Sequence, residues 1–152
     1  NMDILFHDPY PPSAADAEAL GATACASIEE VLERSDFVSL HTPGGADTKH
    51  LMNAERLARM KPGAFLINSS RGDVIDEAAL AAALEDGTIA GAGLDVYEAE
   101  PKVTPELTKL ENVVLLPHLG SATTETRVAM GMKVVENAEA FFAGKEPPNR
   151  VA

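Results

Sequence analysis

The sequence predicts an α/β fold: a doubly wound parallel sheet with helices between the strands. Three observations carry that prediction. Short apolar runs alternate with helical stretches through most of the 152 residues, giving a strand, helix, strand, helix order. Gly, Pro and capping residues punctuate the runs. One run, Ala64-Phe65-Leu66-Ile67, passes through Asn68-Ser69-Ser70 straight into Arg71-Gly72. Ligands of parallel sheets sit at the carboxyl ends of strands, so an arginine there points at whatever fills the cleft.

The elements follow in order. Residues 3 to 7 read as a strand stopped by Asp8-Pro9. Ser13 caps a helix through Leu20, which Gly21 ends. A brief strand lies near Thr23, and Ser27 with Glu30 has capping-box spacing for a helix through Arg34. Residues 36 to 40 form a strand that breaks at His41-Thr42-Pro43-Gly44-Gly45. Asn53 caps the next helix, with Met52 and Leu57 spaced as a hydrophobic staple. After the strand at 64 to 67, Asp76 caps a helix over Glu77 to Asp86, whose Leu80 and Leu84 share a face. Ile89 to Leu94 is a strand, residues 102 to 112 are irregular, and Asn112 to Leu116 is a last strand stopped at Pro117-His118. Ser121 is the expected cap of a long helix whose stripe is Val128, Met132, Val135 and Phe142, ended by Gly144.

Composition narrows the function classes. The formal net charge is −12, and no Lys/Arg cluster suited to phosphate backbones appears, so nucleic acid is not expected as a partner. No apolar run reaches the roughly 18 residues of a membrane helix, so no membrane partner is expected. Cys25 is the only cysteine. That excludes an intramolecular disulfide and fits a reducing, cytoplasmic compartment. No metal site is read.

Successive strand ends offer Arg71, Glu100 and His118, with Asp95 beside them. These types together suit reduction of a 2-keto acid. Arginine binds a carboxylate bidentately and is always charged. Histidine is the natural proton donor to a carbonyl oxygen that becomes an alkoxide. A carboxylate beside it favours the imidazolium and fixes the tautomer. Asp8, at the end of the first strand, sits where a Rossmann-like domain places a ribose-binding acid, and also suits a turn-opening Asp-Pro. His41 and Thr42 lie at the same edge; His41 suits a solvent-facing loop equally well.

The segments Val38-Ser39-Leu40-His41-Thr42-Pro43, Met60-Lys61-Pro62-Gly63-Ala64, Ile67-Asn68-Ser69-Ser70-Arg71-Gly72, Gly91-Ala92-Gly93-Leu94-Asp95-Val96 and Leu116-Pro117-His118-Leu119-Gly120-Ser121 together resemble the NAD-dependent D-2-hydroxyacid dehydrogenases. These include glyoxylate and hydroxypyruvate reductases. The resemblance implies that Arg71 holds the substrate carboxylate and carbonyl, and that Glu100 pairs with His118, the acid/base. It implies that Asp95 meets the nicotinamide carboxamide and Asp8 the ribose. His41, Thr42, Pro43, Ser69, Ser70, Arg71, His118, Gly120 and Ser121 fall in segments lining NAD. Glu98 is nearby, but the family pattern puts the active carboxylate just before Pro101.

The resemblance also implies a Rossmann-like sheet that is incomplete here, with the first βα unit and its glycine-rich phosphate loop expected upstream of residue 1. Gly44-Gly45-Ala46-Asp47 departs from the family's apolar, Thr-rich loop start. Residues 1–121 are expected to be part of a dinucleotide-binding domain, and 122–152 a C-terminal helix and tail packing on a substrate domain outside the chain. The implied function is hydride transfer between NAD(H) and a small 2-keto or 2-hydroxy acid, first glyoxylate or hydroxypyruvate, in a full-length homodimer. The alternative is an NAD(H)-sensing, corepressor-like binding protein on the same scaffold.

Overall fold

Local sequence rules set most of the element boundaries in the computed structural model, which describes residues 2–151. The elements are β1 (Ile4–Phe6), α1 (Ala14–Ala19), β2 (Ala22–Ala24), α2 (Ile28–Arg34), β3 (Phe37–Leu40), α3 (Ala54–Leu57), β4 (Phe65–Asn68), α4 (Glu77–Glu85), β5 (Gly91–Leu94), β6 (Val113–Leu115) and α5 (Thr124–Phe142). Short 3-10 turns span Gly72–Val74 and Leu107–Lys109. The chain parts into two compact units, Asn1–Pro117 and His118–Ala152.

In the first unit the expected caps form. Ser13, Ser27, Asn53 and Asp76 accept from the backbone N–H groups of Asp16, Glu30, Arg56 and Ala79. The Ser27 box closes one residue early: the Glu30 carboxylate accepts from the Ala26 N–H at 2.9 Å rather than from the cap residue. Arg34 holds the same carboxylate at 2.5 Å. Met52 and Leu57 are both fully buried, as a staple requires. Ile89 is buried, but the strand expected from it starts at Gly91. Leu107, fully buried, anchors the otherwise irregular segment before β6.

All strand pairings are parallel. β3, β4, β5 and β6 lie side by side in that order, while β1 and β2 form a separate two-stranded sheet. In the doubly wound order 3-2-1-4-5-6, the second and third strands lie on one side of the first strand and the fourth to sixth on the other. Leu32 of α2, Leu57 of α3 and Leu80 and Leu84 of α4 pack with Val38, Leu40, Leu66, Ala92 and Leu94 of the sheet into one core. The alternate residues face the other way. Phe37 and Phe65 stand in register, their rings stacked with centroids 5.4 Å apart. They are 63% and 40% exposed, and Val114 is 62% exposed.

In the second unit, α5 does not start where expected. Thr123, not Ser121, is the cap, its Oγ1 accepting from the Thr126 N–H at 3.2 Å. A residue caps when its hydroxyl meets the N–H two or three positions on, and Ser121 lies two residues too early for a helix beginning at Thr124. The end is a Schellman motif. Gly144 has φ of 70°, its N–H meets the Phe141 carbonyl, and the Lys145 N–H meets that of Ala140. Asn137 and Asn149 exchange two hydrogen bonds that tie the tail to the helix. No residue of α5 is buried, including Val128, Met132, Val135 and Phe142.

Two substitutions separate core from cap. Leu66→Ala, in a fully buried site, is expected to cost about 2–5 kcal/mol. Asp76→Ala is expected to cost about 1 kcal/mol through loss of the α4 cap. Denaturant titration checks both; a Leu66→Ala cost no larger than that of the cap would contradict the core described here.

Candidate active site

The strand ends are in register. Leu40 pairs with Asn68, Asn68 with Leu94, and Leu94 with Leu115. Loops beginning at His41, Ser69, Asp95 and Leu116 therefore leave the sheet from one row.

Asn68 shapes the central loop. It is buried, and its Nδ2 donates to the Arg71 carbonyl at 2.9 Å. Its Oδ1 accepts from the Ser70 N–H at 3.0 Å and the Ser70 Oγ at 2.8 Å. A buried amide satisfied this way fixes the turn that presents Arg71. The Arg71 side chain is exposed, with Nη1 donating to the Ser70 carbonyl at 2.6 Å. Ser69 is also exposed.

Two glycines bring neighbouring loops against this turn. A Cβ on Gly44 would lie 2.6 Å from Asp73 Oδ1 and 3.1 Å from Arg71 Cβ. The Gly45 N–H donates to Asp73 Oδ2 at 3.1 Å. On the other side, a Cβ on Gly72 would lie 1.9 Å from the Tyr97 carbonyl carbon and 2.4 Å from the Glu98 nitrogen. Only glycine permits that approach. The loop carrying Glu100 thus rests directly on the residue after Arg71.

That third loop is well tied. Asp95 is buried, and its N–H extends the ladder to the Asn68 carbonyl at 2.9 Å. Glu100 accepts from the Tyr97 N–H at 3.0 Å. The Tyr97 hydroxyl donates to the Leu116 carbonyl at 2.7 Å, so it fixes the backbone two residues before His118. Burial, and then the Asp95 charge, push the Tyr97 phenol up, which keeps it a neutral donor. The Glu98 N–H donates to Glu77 Oε1 at 2.6 Å.

The remaining expected residues are placed as follows. His41 Nε2 lies 2.9 Å from Ser39 Oγ, and the Pro43 carbonyl accepts from Thr48. Thr42 Oγ1 is buried and has no hydrogen-bond partner among the described residues. An unpaired buried hydroxyl is costly, so a polar group bound at this edge would satisfy it. The residues here therefore fit a dinucleotide. Asp8 follows β1 and accepts from the Tyr10 N–H at 2.7 Å, the turn-opening geometry. His118, Gly120 and Ser121 belong to the second unit. His118 has φ of 55°, a left-handed conformation that costs a non-glycine residue about 1–2 kcal/mol.

The structure thus brings the loops of His41–Pro43, Arg71 and Asp95–Glu100 into contact within the first unit. Sequence reasoning did not single out Asn68, Gly44 or Tyr97 as parts of the site, or Glu77 as more than a helix residue. An amide ending an apolar strand was the one signal available for Asn68.

Residues 1–120 match the family described as D-isomer specific 2-hydroxyacid dehydrogenase, NAD binding domain. Glyoxylate reductase of Pyrococcus furiosus is 50% identical over 151 residues, covering 99% of this chain and 44% of that protein. Glyoxylate/hydroxypyruvate reductase B of Enterobacter agglomerans is 48% identical, covering 99% and 46%. An NADPH-dependent glyoxylate/hydroxypyruvate reductase from Sinorhizobium meliloti, solved in complex with NADP and malonate, superposes with a TM-score of 0.90 at 42% identity, covering 99% and 46%. The chain spans a little under half the length of the curated relatives it matches. With 120 of its residues matching that pattern, the chain belongs to the D-isomer specific 2-hydroxyacid dehydrogenase family and carries sequence of its NAD-binding domain.

Proposed function

We propose that the whole protein transfers a hydride between NAD(H) and a small 2-keto or 2-hydroxy acid, with glyoxylate or hydroxypyruvate as first candidates. The observation that carries this reading is the seating of the Tyr97–Glu98 peptide on Gly72, which couples the turn of Arg71 to the loop of Asp95 and Glu100. The relatives named above are reductases of these acids.

The dinucleotide supplies the hydride when bound. Arg71 clamps the substrate carboxylate through its planar fork. His118 gives a proton to the carbonyl oxygen in reduction and takes one in oxidation. Glu100 is the carboxylate assigned to this acid/base. Asp95 accepts from the carboxamide, and Asp8 from the ribose hydroxyls. Residues His41, Thr42, Pro43, Ser69, Ser70, Gly120 and Ser121 line the cofactor. Residues 1–121 form part of the dinucleotide-binding domain, and the helix within 122–152 packs on the substrate domain. The enzyme works as a cytoplasmic homodimer, without nucleic-acid or membrane partners. No helix among the described residues is long and apolar enough to cross a membrane.

In the full-length protein, His118→Ala is expected to lower turnover by about 100- to 10,000-fold while NADH binding survives. Near-normal turnover in His118→Ala would overturn the mechanism, and a wild type that binds NADH without turning over any 2-keto acid would favour the sensing role. NADH should be preferred to NADPH, because the Asp8 carboxylate repels a 2′-phosphate; Asp8→Ala should narrow that preference, measured as the ratio of kcat/KM values.

A further inference from the structure

Glu77 is one of three polar or charged side chains that are buried among the described residues; the others are Asn68 and Asp95. It opens α4, next to the cap Asp76. Both of its oxygens are used by a distant segment. Oε1 accepts from the Glu98 N–H at 2.6 Å, 21 residues on, and Oε2 accepts from the Thr104 hydroxyl, 27 residues on. A buried carboxylate needs such donors in place of water, and these are charge-assisted hydrogen bonds. The helix N-terminus also favours the negative charge.

The Glu98 N–H belongs to the peptide that rests on Gly72. One face of that peptide meets the residue after Arg71, and its N–H is held by Glu77. His50 adds a lateral hold, its Nε2 lying 2.8 Å from Glu98 Oε1, while its own N–H donates to the Asp73 carbonyl at 2.8 Å. Two residues beyond Glu98 stands Glu100. A shift of the peptide away from Gly72 would carry Glu100 and Arg71 apart.

We infer that Glu77 is a positioning residue: it clamps the 97–104 segment onto Gly72 and so fixes Glu100 relative to Arg71. The inference rests on the acid-binding roles given to Arg71 and Glu100 above. Glu77 touches neither substrate nor cofactor in this role. It acts through the Glu98 amide.

The test uses the full-length protein with NADH and glyoxylate. Glu77→Ala is expected to lower kcat/KM about 10- to 100-fold, the scale of a displacement of roughly 1 Å at a reacting centre, with the Kd for NADH within about twofold. Glu77→Gln keeps an acceptor for the Glu98 N–H and should recover to within several-fold of wild type. Thr104→Val removes one donor and should show a smaller loss, which keeps the test open if Glu77→Ala does not fold. Hydrogen exchange reads the clamp without activity: the Glu98 amide and its neighbours through residue 104 should exchange faster in Glu77→Ala and Thr104→Val, while the interior of α4 stays protected. Wild-type exchange and wild-type kcat/KM in those variants would overturn the proposal. So would Glu77→Gln as damaged as Glu77→Ala. A wild-type protein inactive on every 2-keto acid would sink the catalytic reading itself and the positioning role with it, and the exchange data would still decide whether Glu77 holds the loop.

Discussion

The constraint on which the site depends is the register of four parallel strands. Because Leu40, Asn68, Leu94 and Leu115 pair in one row, the backbone delivers its loops at a common level. Parallel strands require crossovers, so residues far apart in sequence reach one edge only when each crossover helix finds its place on the sheet. The buried leucines of α2, α3 and α4 therefore do more than stabilise. They set where each next strand enters the row, and with it where each loop leaves.

Above that row, spacing is governed by small residues and buried polar ones rather than by apolar packing. Gly44 and Gly72 remove the bulk that would hold three loops apart. Asn68, Asp95 and Glu77 sit beneath them, buried. A polar group without water must be paired by a particular geometry, so these three side chains make the loop conformations specific in a way that leucines could not. Tyr97 adds a strut from the third loop to the end of β6.

Much of this was legible in the sequence because the signals are local. Ser13, Ser27, Asn53 and Asp76 cap helices through partners three residues away, so spacing reveals them. The strands read as apolar runs because their core face is continuous. What escaped depends on distance. Glu77 looks like any first-turn acid until its partners 21 and 27 residues later are seen. Gly72 reads as a flexible turn residue, while its reason is a close approach of another backbone. Ser121 was the expected cap, and the helix start selects Thr123 instead. The separation of β1 and β2 from the other strands is likewise a pairing fact, which no single strand signal contains.

The stacked pair Phe37 and Phe65, with Val114 on the same open face, presents apolar surface to water. Apolar surface of that kind attracts its like, and the counterweight is the repulsion among molecules carrying a formal charge of −12. Dissolved salt weakens the repulsion by screening, and sulfate or phosphate strengthens the apolar attraction at the same time. Acid does the former by neutralising carboxylates. Contact through this face is therefore expected to strengthen as salt rises and as pH falls.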